Sequence, residues 1–183
     1  MDIQPAPINA IQDEIIQTFA VFADDREAML HYLMELGDQM TPLADTYKIE
    51  KYRIPGCMSA VWLVHTLEKD RLVWEADSNT AITKGLISLL IRVLSGQTLS
   101  AIAHSELYFI EGIGMRQVIG SQRSSGLASM LKQMRLTALT YQQQLTDTQS
   151  VSAAPTAAPG ESLQFWVIHL FYGLYDLVLQ RLS

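Results

Sequence analysis

The sequence predicts an α+β fold: a small antiparallel β-sheet packed by helices from both ends of the chain. Three observations predict it. Two short runs of strand character, Ala60–Leu67 and Leu72–Ala76, flank the polar turn Glu68-Lys69-Asp70-Arg71. Stretches with apolar residues at helical spacing lie on both sides of this pair. Of the 183 residues 49% are apolar, enough to bury a proper core.

Residues 9–22 read as a helix, with Ile11, Ile15, Ile16, Phe19 and Phe22 recurring at helical spacing. Asp24, with Glu27 three residues on, has the form of a capping box and starts a second helix. Met29, Leu30, Leu33, Met34 and Leu36 make its apolar face, and Gly37 is expected to stop it. Pro42 to Arg53 reads as loop. In the next stretch, Ile54-Pro55-Gly56-Cys57, Pro55 fixes its own φ and Gly56 can take a positive one. Cys57, the only cysteine, is thereby placed at the tip of a tight loop.

Trp62 and Trp74 fall on adjacent strands and are expected to pack across them in the core. Asp77-Ser78-Asn79 is expected to end the second strand and cap a helix over Thr80–Leu94. Ile82, Leu86, Leu89, Leu90 and Val93 form its buried side; Lys84, Ser88 and Arg92 form a wet stripe. Gly96 ends it. Thr98–His104 reads as a short helix capped by Thr98, Ser105–Ile113 as another, and residues 122–145 as the last of the body. In that last helix Leu127, Met130, Leu131, Met134 and either Leu136 or Ala138 face in.

The chain divides into a body, 1–147, an Ala/Pro/Ser linker, 148–161, and an apolar amphipathic helix, 162–183. His169, Gly173, Asp176 and Gln180 form the polar stripe of that last helix. Such a helix docks on a protein body, pairs with a copy of itself as a homodimer, or lies on a membrane surface. Arg181, its single basic residue, argues against the membrane, so docking ranks first.

Composition excludes several classes. The net charge of −6, without a basic cluster, argues against nucleic acid as a partner. One cysteine excludes an internal disulfide, a CxxC redox pair and a multi-cysteine zinc or iron–sulfur site. His31, His65, His104 and His169 are scattered, without the spacing of a zinc site. Gly112-Ile113-Gly114 is no dinucleotide loop, since Gln117 stands where a third glycine belongs. The first five residues have neither a secretory nor a transit character, and a surface thiol suits the cytoplasm, where the chain is expected. A free cysteine is ordinarily a small buried hydrophobe. The Pro-Gly loop argues instead for a presented sulfur. A thiol titrates near ~8.5, and Lys51 and Arg53 are the nearest cations in sequence that could favour the thiolate.

Gly56-Cys57-x-Ser59-x-Val61-Trp62 resembles the signature of the SufE family, sulfur acceptors that work with cysteine desulfurases in iron–sulfur cluster assembly. Asp77-Ser78-x-x-Ala81-Ile82-x-Lys84-Gly85-Leu86-Ile87 resembles that family's second block, and Arg123-Ser124-x-Gly126-Leu127 its third. The resemblance covers about residues 10 to 140. Met58 stands where the family often has glutamine, and Gly120-Ser121-Gln122 replaces a Thr-Pro-Ser-like lead into the third block.

The resemblance implies a SufE/IscU-like fold and a protein that is no enzyme itself. It implies an activator of a SufS/CsdA-like cysteine desulfurase, which takes sulfur as a persulfide on Cys57 and passes it to a SufBCD-type scaffold. No cofactor of its own is implied, pyridoxal phosphate belonging to the desulfurase. Asp77 matches an acidic position near the cysteine loop, against its reading as a helix cap. Arg123 matches an arginine suited to partner docking or to a field near the sulfur, against a structural salt bridge. Gly56 and Ser59 shape the loop, and the sulfur is expected to be tucked into an apolar recess. Two other classes remain: a stand-alone thiol enzyme (peroxidase or cysteine hydrolase), and an interaction module with a structural cysteine.

Overall fold

Helix α1, Ile8–Phe19, buries Ile8, Gln12, Ile15 and Phe19, spaced three or four apart on one face. The computed structural model describes residues 6–23 and 25–152. The end of α1 tightens into a 3-10 turn over Ala20–Phe22, and Phe19 packs edge-on against Tyr32 at 5.3 Å between ring centroids. Helix α2, Arg26–Asp38, is capped by Asp25, whose carboxylate accepts the Ala28 N–H at 2.9 Å. Asp24 lies outside the described residues. With Asp25 as cap, the third position on is Ala28, so no reciprocal capping box forms, and Glu27 faces His31 at 3.9 Å.

Gly37 does not stop α2, which runs through it to Asp38. Its lack of a side chain serves packing instead. A Cβ at Gly37 would stand 2.7 Å from the Gly85 nitrogen, and one at Gly85 would stand 2.0 Å from the Leu33 carbonyl oxygen. The two glycines let α2 and helix α3, Ala81–Leu94, cross with their backbones in contact. Of the 14 residues of α3, eight are buried, between α2 on one side and the sheet on the other. Lys84 and Ser88 are half-buried and Arg92 is exposed, along the stripe the spacing predicts.

The sheet begins as a hairpin. Strand β1, Val61–Glu68, pairs antiparallel with β2, Arg71–Ser78, in register from Val61 opposite Ser78 to Glu68 opposite Arg71. The two-residue turn is made by Lys69, at φ 61°, and Asp70. A third strand, β3, Gln97–Thr98, pairs with β2 and completes the order β1-β2-β3. Two residues carry no alternation by which a strand could be read. The register also separates the tryptophans. Trp74 stands opposite His65 and Trp62 opposite Asp77, so the two indoles lie on opposite faces and the expected pair does not form. Trp74 is buried, its ring 5.3 Å from that of His65, while Trp62 is half-buried on the other face.

Helix α4, Leu99–His104, starts as expected, with the Thr98 hydroxyl accepting the Ala101 N–H at 3.2 Å. The helix expected over Ser105–Ile113 shrinks to α5, Phe109–Gly112. Gln12, fully buried, is the reason. Its amide donates to the Glu106 carbonyl at 3.0 Å and accepts the Phe109 N–H at 3.2 Å, taking groups that a helix would use itself. Helix α6 spans Met115–Ser152 as two segments across a kink at Gly120, φ 79° and ψ 170°. Ala138 is fully buried and Leu136 is 47% exposed, which decides between the two for the inner face.

Helix α6 continues to Ser152, into the stretch read as linker. The remainder of the linker and the amphipathic helix 162–183 lie outside the described residues. Among the described residues no helix is long and apolar enough to cross a membrane.

Candidate functional site

The cysteine loop, Pro55 to Ala60, is tied at its base, at its far end and from beneath. At the base the Ile54 N–H donates to the Val61 carbonyl at 2.8 Å, and Arg53 and Trp62 form a single antiparallel bridge. Gly56 turns the chain at φ 81°, as its residue type allows. The far end is fastened to the junction of β2 and α3. Ser59 Oγ lies 2.8 Å from Thr80 Oγ1 and accepts from Thr83 Oγ1 at 3.1 Å. The Ala60 N–H donates to Asn79 Oδ1 at 3.0 Å, and Ser78 Oγ donates to the Ala60 carbonyl at 2.9 Å. Asn79 and Ser78 are thus committed to the loop. Thr80, the residue before α3, makes no side-chain cap bond, and the expected Asp77-Ser78-Asn79 cap is replaced by this clasp.

Beneath the loop runs α6. The Cys57 thiol donates to the Gly126 carbonyl at 3.5 Å, and a Cβ on Gly126 would sit 3.5 Å from the sulfur. A Cβ on Gly56 would meet Ser129 Oγ at 2.9 Å. Cys57 is therefore half-buried at the loop tip rather than held out into solvent. Its sulfur opens on a recess of about 20 Å³, lined by the apolar Leu86 and Met130 and by the polar Thr83, Gln122 and Arg123. Among the described residues no histidine or carboxylate lines this recess. Met58, next to the sulfur, is 76% exposed.

Burial pushes the Cys57 thiol up from its ordinary value, and the charge of Arg53 pulls it part of the way back. Of the two cations read from the sequence, Arg53 is the one that acts; it is half held by Glu50 at 3.3 Å. Lys51 sits over the Tyr52 ring, 5.1 Å from its centroid. Arg123 does line the recess. Its Nη1 donates to the Ile119 carbonyl at 3.4 Å, and among the described residues it pairs with no carboxylate, against the salt-bridge reading.

Asp77 is neither in the recess nor a helix cap. It is buried and bridges two lysines, Lys48 at 3.1 Å and Lys84 at 3.3 Å, and accepts the Ser78 N–H at 2.8 Å. Burial alone would raise its pKa, but the Lys48 hydrogen bond, the Ser78 N–H and Lys84 together hold it below the usual carboxylate range. The pair with Lys48 pins the segment that leads into the cysteine loop. Sequence reasoning missed Lys48, Thr80, Thr83 and Met130 as parts of this assembly. Lys84 and Leu86 carried a signal as members of the second block, and Gly126 as a member of the third.

The fold and the site define a class: an α+β domain that holds one thiol on a strapped loop over a helix. Comparison with known proteins agrees. The family described as Fe-S metabolism associated domain, SufE, matches residues 13–138. An uncharacterised SufE-like protein of Rhizobium etli is 38% identical over 128 residues, 67% of this chain and 86% of that protein. SufE-like protein 1 of Arabidopsis thaliana, chloroplastic/mitochondrial, is 33% identical over 141 residues, 75% of this chain and 38% of that protein. A hypothetical protein of Thermus thermophilus, solved in solution, superposes with a TM-score of 0.56 at 18% identity, covering 69% of this chain and 93% of that one. The chain belongs to the SufE family, and its place is in iron–sulfur metabolism.

Proposed function

We propose that this protein is a sulfur carrier: it accepts persulfide sulfur from a cysteine desulfurase on Cys57 and delivers it for iron–sulfur cluster assembly. The observation that carries this reading is the single thiol at the tip of a strapped loop, half-buried against Gly126 and, among the described residues, without a carboxylate or histidine in its recess. A hydrolase or peroxidase built on Cys57 would need a base at the sulfur; a carrier can rely on its partner for ionisation.

The Cys57 thiolate attacks the outer sulfur of the partner's cysteine persulfide. A new S–S bond forms to Cys57, the old S–S bond breaks, and the partner's cysteine leaves as thiolate. At rest the thiol is kept protonated by burial, with Gly126 as its acceptor. When the loop leaves the recess, both effects vanish and Arg53 favours the thiolate. Removing the persulfide from the desulfurase stimulates its turnover. Pyridoxal phosphate is the desulfurase's cofactor, and this chain's part needs none. The loaded protein then meets a scaffold of the SufBCD type in the reducing cytoplasm. Arg123 and Met58, beside the sulfur, supply a cation and an apolar contact for docking.

Intact-protein mass spectrometry after incubation with a SufS-like desulfurase, pyridoxal phosphate and L-cysteine tests this. The expected result is a gain of about +32 Da, reversed by a reducing thiol and absent in Cys57→Ser. No gain with any desulfurase, while Cys57 still alkylates, overturns it.

A further inference from the structure

The strand order β1-β2-β3 leaves β1 at an edge of the sheet. Its outer side is covered at one end only. There the Val61 carbonyl accepts the Ile54 N–H at 2.8 Å, and Arg53 bridges Trp62. The residues just before Arg53 are wound into the 3-10 helix Glu50–Tyr52, so this pairing goes no further. The Val61 carbonyl also fixes which groups face out. In an antiparallel ladder the N–H and C=O of one residue point to the same side, and the sides alternate along the strand. Leu63, His65 and Leu67 therefore turn their backbone groups away from β2, while Val64 and Thr66 turn theirs towards it. Among the described residues nothing pairs with the outward groups of His65 and Leu67.

A groove of about 540 Å³ lies at this edge, lined by β1 from Leu63 to Thr66, by Lys51, Tyr52 and Arg53, and by Gln133 and Thr137 of α6. Pockets that bury a ligand run to roughly 300–1,000 Å³. An open edge is ordinarily blunted by a charge on the strand itself. Burial holds the His65 imidazole below its ordinary value, so it is neutral at pH 7 and puts no charge there. Charge decides the occupant. Among the described residues Lys51 pairs with no carboxylate, its ammonium resting 5.1 Å from the Tyr52 ring centroid. Two cations, Lys51 and Arg53, line the groove against one acid, Glu75, in a chain of net charge −6. We propose that the outer edge of β1 takes up an extended acidic segment of a partner protein, which adds to the sheet as a further strand and sets a carboxylate against Lys51. The backbone groups of His65 and Leu67 bind the segment's main chain, and the cations choose its side chains. This site is separate from the cysteine recess and does not rest on the carrier reading.

The test is amide hydrogen exchange of the full chain, read residue by residue by NMR. The probe is the capped heptapeptide Thr-Val-Glu-Val-Glu-Val-Thr, with Thr-Val-Lys-Val-Lys-Val-Thr as its counterpart. At saturation the acidic peptide should slow the His65 and Leu67 amides about tenfold or more and leave those of Val64 and Thr66 unchanged. It should bind about fivefold more tightly than the lysine peptide, and Lys51→Glu should abolish that preference. His65→Pro removes one outward N–H without touching the ladder to β2, and should abolish the slowing at Leu67. The Val64 and Thr66 amides report whether the hairpin still stands in that variant; if it does not, Lys51→Glu, a change at an exposed side chain, decides. No slowing at millimolar acidic peptide overturns the proposal, as does equal binding of the two peptides or a preference unchanged in Lys51→Glu. His65 and Leu67 amides already as slow as those of Val64 and Thr66 in the protein alone also overturn it, since the edge would then be taken by the chain itself or by a second copy.

Discussion

Gly85 and Gly126 both lie on buried helix faces, and they are there for opposite reasons. At Gly85 the missing side chain is filled by another backbone: a methyl would strike the Leu33 carbonyl at 2.0 Å. At Gly126 it is left unfilled beside the sulfur, where a methyl would only touch, at 3.5 Å. The α2–α3 crossing thus uses its glycines for contact, and the cysteine recess uses its glycine for space. The first region can only be loosened by change; the second can be altered in chemistry while the fold stands.

The widest break in that contrast should come from Gly85→Ala. Relieving a 2.0 Å overlap with backbone requires α2 and α3 to part, at a cost of about 3 kcal/mol. Thermal unfolding followed by circular dichroism should show a fall of roughly 10 °C. A fall of a degree or two would mean that the crossing yields easily and that the contrast is false. Next comes Asp77→Asn, which leaves Lys48 and Lys84 facing a neutral amide, with a loss of about 2 kcal/mol at neutral pH. Its pH dependence has a definite sign. The carboxyl of Asp77 is held below its usual range in the folded state. Its contribution is therefore complete above the unfolded value of about 3.9 and is lost as pH falls through the lower folded value. The native chain should lose this stability on acidification below about pH 4, and Asp77→Asn should lack that part of the loss.

Gly126→Ala should cost less than about 1 kcal/mol, with a melting curve close to native, since the added methyl would only touch Cys57 Sγ at 3.5 Å. The smallest change is expected from Arg53→Gln. Burial already holds the Cys57 thiol high, and removing the guanidinium takes away the opposing pull. The midpoint of iodoacetamide alkylation against pH should move further up; a shift downward would show that Arg53 does not act on the sulfur.

Local chemistry is legible in the sequence, and contacts across the chain are not. Thr98 caps α4 as its position predicts, because a cap answers to residues three away. The Pro55-Gly56 turn, with the one cysteine at its tip, follows from two residues' backbone preferences, while the burial of that thiol against Gly126 does not. Gly37 reads as a stop because its partner, Gly85, is 48 residues on. Asp77 reads as a cap for the same reason, its partner Lys48 lying 29 residues before it. Gln12 shortens a helix 94 residues away through a buried amide that no periodicity announces. The site shows the same division: Cys57 is plain, whereas Thr83, Met130 and the room left at Gly126 exist only once α3 and α6 are brought together.

The clasp at Ser59 also sets how far the sulfur can travel. With Ser59 held on Thr80 and Thr83, the Cα of Cys57 is two residues along a leash and can stand no more than about 7 Å from that of Ser59. A lever of this length cannot carry the thiol down a deep channel. If the protein is the carrier proposed above, the donor cysteine must come the rest of the way, on a mobile arm or at a shallow mouth, and the distance between the two sulfurs is then decided by the partner's reach more than by this chain's.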